Sequence, residues 1–507
     1  MNLMHLKSGT DVRGVAVATE KYPEMQLTDD VVKVISASFI DFLCDKTGKN
    51  ATDLTVSVGH DSRISAMRIR KAVVDELAMM GVNVLYCSYC STPAMFMTTV
   101  TRNCDGAIQI TASHHPYDRN GLKFFTRDGG LSGAELKNIL TNAEEEKQRE
   151  YTNDGTIKEI DYISEYSAIL RDMIKEEVGA KDYEKPLKDF KIAVDAGNGV
   201  GGFYAEKVLA PLGADVSASQ FLEIDGMFPN HIPNPENKVA MDFICKATVE
   251  NYCDLGVIFD TDVDRASCVD HKGNEINRNS IVALASVIAL ENNKGGTVVT
   301  DSVTSDGLHE FIEATLGGKH IRFKRGYKNV IDEAIRRTEL GENTPLAIET
   351  SGHAAFKENY YLDDGAYLIT KIIIRMAVCR NMGKSIWDCL DELKKPVEEK
   401  ELRFNITGEN FREIGEALIE KIKILAEKDE NMILAPDNYE GVRVSFKDEK
   451  KNGWFLLRLS VHDPVMPFNT ESDTEGGCVE ICKAFYELVK DEAEIDFTPL
   501  KDFVKIQ

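Results

Sequence analysis

The chain has 507 residues, 43% hydrophobic and 28% charged, with 60 Lys and Arg against 84 Asp and Glu for a formal charge of −24. That length exceeds one ordinary domain and predicts three or four packed cores. The acidic excess argues against nucleic acid or an anionic membrane as partner.

Leu54–Val58 reads as a strand that enters Gly59-His-Asp-Ser-Arg63, and residues 69–80 have helical amphipathic spacing. Cys87-Ser-Tyr-Cys90 has redox or zinc spacing, but no second pair follows, so packing is the expected role. The apolar run 107–110 predicts a buried parallel strand, and reactive groups of open α/β sheets sit just beyond the carboxyl ends of such strands. Thr111-Ala-Ser-His-His-Pro116 begins there and Asn120-Gly-Leu-Lys123 follows, placing Ser113 where a reactive hydroxyl is expected. A serine oxygen is a weak nucleophile alone, so it needs a neighbouring base or a cation.

The charged segment 144–154 reads as a domain break. A second strand, 190–194, enters Asp195-Ala-Gly-Asn-Gly199, and residues 197–202 satisfy G-x-G-x-x-G. That pattern with Glu223 raises a competing function, a nucleotide-binding oxidoreductase. Against it, the strand expected over 215–219 ends several residues before Glu223, and tight strand-to-helix packing is the simpler reading. Leu255–Phe259 opens into Asp260-Thr-Asp-Val-Asp-Arg265, whose alternate carboxylates suit a hard cation. With no EF-hand Gly or distal Glu, Mg²⁺ is the better expectation than Ca²⁺.

A break is expected near Lys272-Gly-Asn274. Thr297–Val299 then enters Thr300-Asp-Ser302, and 345–348 enters Glu349-Thr-Ser-Gly-His353, a loop suited to sugar hydroxyls. The last break falls at 394–401. Beyond it come a helix over 410–428 and a hairpin, 442–446 with 454–459, turning at Lys451-Asn-Gly453. Arg458-Leu-Ser460 ends that hairpin with a guanidinium fork and a hydroxyl, which suit a phosphate. Strands alternating with amphipathic helices in three comparable blocks predict three parallel-sheet α/β units and a smaller α+β domain.

Taken together these loops resemble the α-D-phosphohexomutase superfamily, the phosphoglucomutase and phosphomannomutase enzymes, over nearly the whole chain. Thr111–Pro116 matches the phosphoserine loop Thr-Ala-Ser-His-Asn-Pro with His115 for Asn, and Asn120–Lys123 matches Asn-Gly-x-Lys. Asp260–Arg265 matches the metal loop, Glu349–His353 the sugar loop, and Gly9–Gly14 the amino-terminal segment with one residue fewer. Two further places depart from the pattern. The phosphate loop Arg-x-Ser-Gly-Thr-Glu-Pro becomes Arg458-Leu-Ser-Val-His-Asp-Pro464, and Lys-x-Gly-His becomes Lys324-Arg-Gly-Tyr327.

The resemblance implies three similar α/β/α mixed-sheet domains and an α+β domain around a central active-site cleft, with boundaries 1–155, 156–272, 273–393 and 394–507. It implies a Mg²⁺-dependent interconversion of hexose 1-phosphate and 6-phosphate through a phosphoserine and a sugar 1,6-bisphosphate. Phosphoglucosamine mutase is the alternative within the superfamily, and an inactive phosphosugar-binding relative is a further one. Catalytic roles fall to Ser113, Lys123, His353, Arg13 and Arg265, and metal ligation to Ser113, Asp260, Asp262 and Asp264. Substrate contacts fall to Glu349, Ser351, Lys324, Arg325, Tyr327, Arg458, Ser460 and His462. Arg13, Lys123, Arg265, Lys324, Arg325 and Arg458 are needed to make the site positive against the net charge. The expected partner is a hexose phosphate, with no nucleic acid or membrane, for a monomer or homodimer. No basic-then-apolar signal segment opens the chain and no apolar run nears the ~20 residues of a membrane span. With eleven scattered cysteines read as reduced core residues, a cytoplasmic location is expected.

Overall fold

The computed structural model describes residues 2–145, 149, 151–436, 438–460 and 463–505. They form two compact units, Met1–Ile288 with Ser351–Cys389, and Ala289–Thr350 with Leu390–Gln507.

In the first unit one sheet runs in the order Lys7–Ser8, Asp11–Val15, Arg119–Thr126, Gly106–Ile110, Thr55–His60, Asn83–Tyr89, Ile157–Glu159. Its centre is parallel, Thr55–His60 lying between Asn83–Tyr89 and Gly106–Ile110. Arg119–Thr126 runs antiparallel to Gly106–Ile110 and to Asp11–Val15. The crossover helices begin where the sequence caps them, as at Thr92–Thr101, where Ser91 accepts the Ala94 N–H and Pro93 opens the first turn. Strand alternation sends Val56, Ile108, Leu122 and Phe124 into one core with Phe39, Ile69 and Ile139. Lys123 therefore points to the other side of the sheet.

The second sheet orders Glu275–Ile276, Ala266–Asp270, Leu255–Phe259, Ile192–Asp195. Only the pair Leu255–Phe259 and Ile192–Asp195 is parallel, so both sheets are mixed rather than purely parallel. The strand expected over 215–219 does not form. Asp215 and Gln220 make only isolated bridges to Lys191 and Asp195. Asp215 takes the Ser217 N–H and the Ser219 hydroxyl takes the Val194 N–H, so short polar side chains occupy groups that a ladder would use. The same unit holds the antiparallel pair Ala354–Phe356 and Leu362–Asp363 and the helix Gly365–Asn381, which packs on Tyr162–Val178.

The second unit contains the parallel strands Lys319–Phe323, Thr297–Asp301 and Leu346–Ile348. Its other sheet is antiparallel, ordered Met432–Leu434, Val442–Phe446, Gly453–Leu457, Val465–Ser472, Glu398–Ile406, Ile495–Asp496. Helices Phe411–Lys428 and Gly477–Val489 cover it around Phe404, Phe455, Phe468 and Phe485. The hairpin forms, but not as a two-residue Asn-Gly turn. Gly453 already pairs with Ser472, and Asp448 gathers the connection by accepting the Lys450 N–H.

Glu471, buried in that sheet, accepts the Trp454 Nε1–H at 3.1 Å. Burial pushes its carboxyl up to about 8, with Arg443 opposing and Glu399 adding to the shift. A native pKa above the unfolded value of about 4.3 means the folded state binds protons more tightly. Stability therefore falls as pH rises from about 5 through about 8. Glu471→Gln keeps the acceptor and removes the ionisation, so its melting temperature should lose that part of the pH slope and exceed wild type most above about pH 8. Parallel slopes in thermal unfolding across pH would refute the assignment.

All eleven cysteines are free thiols. Burial raises Cys87 and Cys90 far above the ordinary thiol range, which suits packing rather than redox or zinc chemistry. Among the described residues, no helix is long and apolar enough to cross a membrane.

Candidate active site

The strand Gly106–Ile110 delivers Ser113 three residues past its end. Thr111 donates its hydroxyl to Asp61 Oδ2 at 2.8 Å and accepts the Ser113 N–H at 3.0 Å. This turns Ser113 into the left-handed region, φ 49°, uncommon for a residue with a side chain. Its hydroxyl donates to Asp260 Oδ2 at 3.0 Å and accepts from Arg265 Nη2 at 3.2 Å. The same Nη2 lies 2.6 Å from His114 Nδ1. Burial, then Arg265, drives His114 down to about 2, so the ring is neutral and its Nδ1 accepts.

Leu255–Phe259 is buried throughout and runs directly into Asp260. Asp260, Asp262 and Asp264 are buried and each offers an oxygen within 4.8 Å of the others. Burial, then Asp264 and Asp262, holds Asp260 well above the carboxylate range. Against the upward push of burial, Lys123 and then His353 hold Asp264 below it. Asp262 Oδ1 and Asp264 Oδ1 are buried with no hydrogen-bond partner. Three converging carboxylates with orphaned oxygens fit a hard, oxygen-seeking cation. Val263, between them, has φ 67°, an outlier for a β-branched residue.

Lys123 sits on a strand rather than a loop, and its ammonium lies 2.5 Å from Asp264 Oδ2. His353 bridges the Arg265 backbone and its Nδ1 is 2.5 Å from Asp363 Oδ2. Burial alone depresses a histidine, but Asp363 and then Asp264 outweigh it and raise His353 to about 9. Its neighbour Gly352 must be glycine: φ is 93°, and a Cβ would lie 2.5 Å from the Ala266 oxygen. Arg13, on Asp11–Val15, pairs with Asp11 at 2.9 Å and keeps a buried Nη1 without a partner. Asp262 and Asp264 both act on its charge. Ser351 is buried in this unit as well.

The second unit gathers its own group. Glu349 accepts the Gly326 N–H at 2.6 Å, and Thr350 donates to Asp301 at 2.7 Å. Glu440 accepts from Ser302 Oγ at 2.5 Å and from the Arg325 N–H at 3.1 Å, and pairs with Arg458 Nη1 at 3.7 Å. Arg458 Nε is buried without a hydrogen-bond partner. Burial raises Asp301, opposed by Arg325 and Arg458, so two guanidinium groups bear on one carboxylate. Lys324 is exposed, Tyr327 opens the helix Tyr327–Glu339, and the Ser460 hydroxyl accepts the Asp463 N–H at 3.3 Å. Val461 and His462 lie outside the described residues.

Profiles described as phosphoglucomutase/phosphomannomutase, alpha/beta/alpha domains I, II and III match residues 5–150, 170–273 and 277–396. The chain belongs to the phosphoglucomutase/phosphomannomutase family. Three α/β/α domains of that family thus precede the β-rich carboxyl-terminal part. A phosphoglucomutase of Neisseria gonorrhoeae is 28% identical over 95% of this chain and 95% of that protein. A phosphoglucomutase/phosphomannomutase of Thermococcus kodakarensis is 30% identical over 83% of this chain and 86% of its own length. Among solved structures, a phosphoglucomutase/phosphomannomutase family protein from Burkholderia thailandensis superposes with a TM-score of 0.77 at 25% identity, covering 97% of this chain and 98% of that one.

Within this family fold, the glycine-rich segment 197–202 serves packing. The Val200 N–H donates to Thr261 O at 2.9 Å, and a Cβ on Gly199 would lie 2.6 Å from that oxygen, so the segment backs the aspartate loop. The Glu223 carbonyl accepts from Asn198 Nδ2 in the same loop network. Four neighbours of the site escaped the sequence reading: Asp61, Arg63, Thr92 and Asp363. Asp-x-Arg at the end of a strand was a usable signal for the first two. Thr92 reads as an ordinary helix start, yet its N–H donates to Asp262 O at 2.9 Å and its hydroxyl to Asp262 Oδ2.

Proposed function

We propose that this chain is a phosphohexomutase that interconverts the 1-phosphate and 6-phosphate of glucose or mannose through a phosphorylated Ser113. The observation that carries this reading is the Ser113 hydroxyl held between Asp260 and Arg265 beside three buried carboxylates. In the reading, Ser113 Oγ gives its phosphoryl group to the free hydroxyl of a hexose monophosphate. The hydroxyl's proton passes to Lys123 or His353, whichever faces the reacting end, in the deprotonated form that a general base requires. After the sugar 1,6-bisphosphate reorients, Ser113 Oγ takes the other phosphoryl group and the freed sugar oxygen regains a proton. Arg265 and Arg13 stabilise the transferring charge. Glu349 and Ser351 hold sugar hydroxyls, while Arg458, Ser460, Lys324, Arg325, Tyr327 and His462 receive the non-reacting end.

Mg²⁺ is the proposed cation. Asp260, Asp262, Asp264 and a phosphoryl oxygen on Ser113 would hold it, and when bound it supplies Lewis-acid neutralisation of the phosphoryl oxygens. A sugar 1,6-bisphosphate serves as activator. The names of the relatives favour glucose and mannose over glucosamine phosphate. The acidic charge supports a protein free of nucleic acid and membrane. The reading keeps four domains bounded at 155, 272 and 393, a monomer or homodimer, and a reducing cytoplasm, in keeping with the free thiols.

A coupled assay of glucose 1-phosphate, mannose 1-phosphate and glucosamine 1-phosphate, with Mg²⁺ and trace bisphosphate, tests this. Turnover of glucose or mannose phosphate is expected. Turnover confined to glucosamine phosphate, or none with any of the three, would overturn it, and substrate-dependent reduction of a nicotinamide cofactor would favour the oxidoreductase.

A further inference from the structure

Arg63 is 2% exposed, and its partner Asp61 is wholly buried. A guanidinium carries five N–H donors in a rigid plane, and here every one is used. Nε donates to Asp61 Oδ2 at 3.1 Å. Nη1 donates to the carbonyls of Pro116 at 2.7 Å and Arg119 at 3.0 Å. Nη2 donates to the carbonyls of Ser113 at 2.5 Å and His115 at 2.6 Å. Four of the five therefore close on the backbone of one short loop, the loop that begins at Ser113.

The anchor is equally well held. Asp61 Oδ1 accepts the Arg63 N–H at 2.9 Å, and its Oδ2 also takes the Thr111 hydroxyl, which in turn accepts the Ser113 N–H. Arg63 pairs in a parallel bridge with Gly226, and the Phe228 ring lies 5.3 Å from its guanidinium carbon. One carboxylate thus reaches Ser113 by two routes, through Thr111 to its N–H and through Arg63 to its carbonyl. Both peptide groups of a residue with φ 49° are fixed in this way. A left-handed conformation that a serine rarely adopts persists only where the surroundings over-determine it.

We propose that Arg63 is a positioning residue, whose guanidinium, seated on Asp61, clasps the backbone of 113–119 and presents the Ser113 hydroxyl to Asp260 and Arg265. The proposal rests on Ser113 being the phosphoryl carrier. It predicts that loosening the clasp slows phosphoryl transfer without weakening sugar binding, because Arg63 donates to backbone oxygens of the protein.

Lysine preserves the charge but offers three donors on a point centre, so Arg63→Lys should keep the buried ion pair and lose the clasp. With roughly 1 Å of misplacement costing on the order of 100-fold, kcat should fall by about that factor while KM for the hexose phosphate changes by less than about threefold. Methylguanidinium should restore part of the rate to Arg63→Ala, and methylammonium should not. Thr111→Val, a near-isosteric change, tests the second route and stands in if the arginine variants fail to fold. It should lower kcat about tenfold, and Thr111→Ser should recover it. Wild-type kcat in Arg63→Lys or, where that protein does not fold, in Thr111→Val, or a loss confined to KM, would overturn the proposal. Absence of mutase turnover in the wild type would instead overturn the functional reading on which it rests.

Discussion

Ser113→Ala should abolish mutase turnover, by on the order of 10⁴-fold or more, because it deletes the atom that, in the proposed mechanism, accepts and returns the phosphoryl group. The fold should survive. Ser113 donates to Asp260 at a site where Arg265 also reaches that carboxylate, so removing the hydroxyl leaves Asp260 with another partner. Incubation with sugar bisphosphate, followed by intact-mass measurement, should show one added phosphate on the wild type and none on the variant. Retained turnover, or the same adduct on both proteins, would exclude Ser113 as the carrier.

Asp262→Asn should have the next largest effect. Partners outside the coordination shell typically change metal affinity by about 10–100-fold, and loss of a proposed direct ligand such as Asp262 should cost at least as much. Mg²⁺ affinity and kcat should therefore fall together, with excess Mg²⁺ restoring part of the rate. Without metal, Asp262 pushes the buried Asp260 carboxyl up but also faces the Arg13, Arg63 and Arg265 guanidinium groups, so these effects oppose one another and the metal-free melting temperature should change little. The amide oxygen can still accept from Thr92, which keeps the loop anchored. Calorimetric titration of Mg²⁺ beside thermal unfolding in chelator separates these effects. Equal Mg²⁺ affinity in the two proteins would make the triplet a mere acidic turn.

How much of this was legible before folding depended on distance along the chain. Ser113 and Asp260 each follow a fully buried apolar run, and strand ends are where such sheets expose chemistry, so both stood out locally. The clustering of Asp260, Asp262 and Asp264 was legible from their alternation alone. Thr92 meets Asp262 across 170 positions and Arg63 meets the Ser113 loop across about 50, and neither segment carries a local pattern that names its partner. The missing strand at 215–219 failed for a different reason, since Asp215 and Ser219 satisfy backbone groups with their own side chains. Lys123 looked like part of a polar loop because Asn120 and Gly121 disguise a strand paired on both edges.

Val263 has a consequence for the entropy of ligand capture. Its left-handed backbone costs on the order of 1–3 kcal/mol, yet its side chain is fully buried and its carbonyl accepts the Gly365 N–H at 3.1 Å. The loop is therefore held in its bent form by the protein's own packing, and its disorder has already been surrendered during folding. The cation proposed for Asp260, Asp262 and Asp264 would meet a preassembled cradle, and little of its binding free energy would go into ordering the chain.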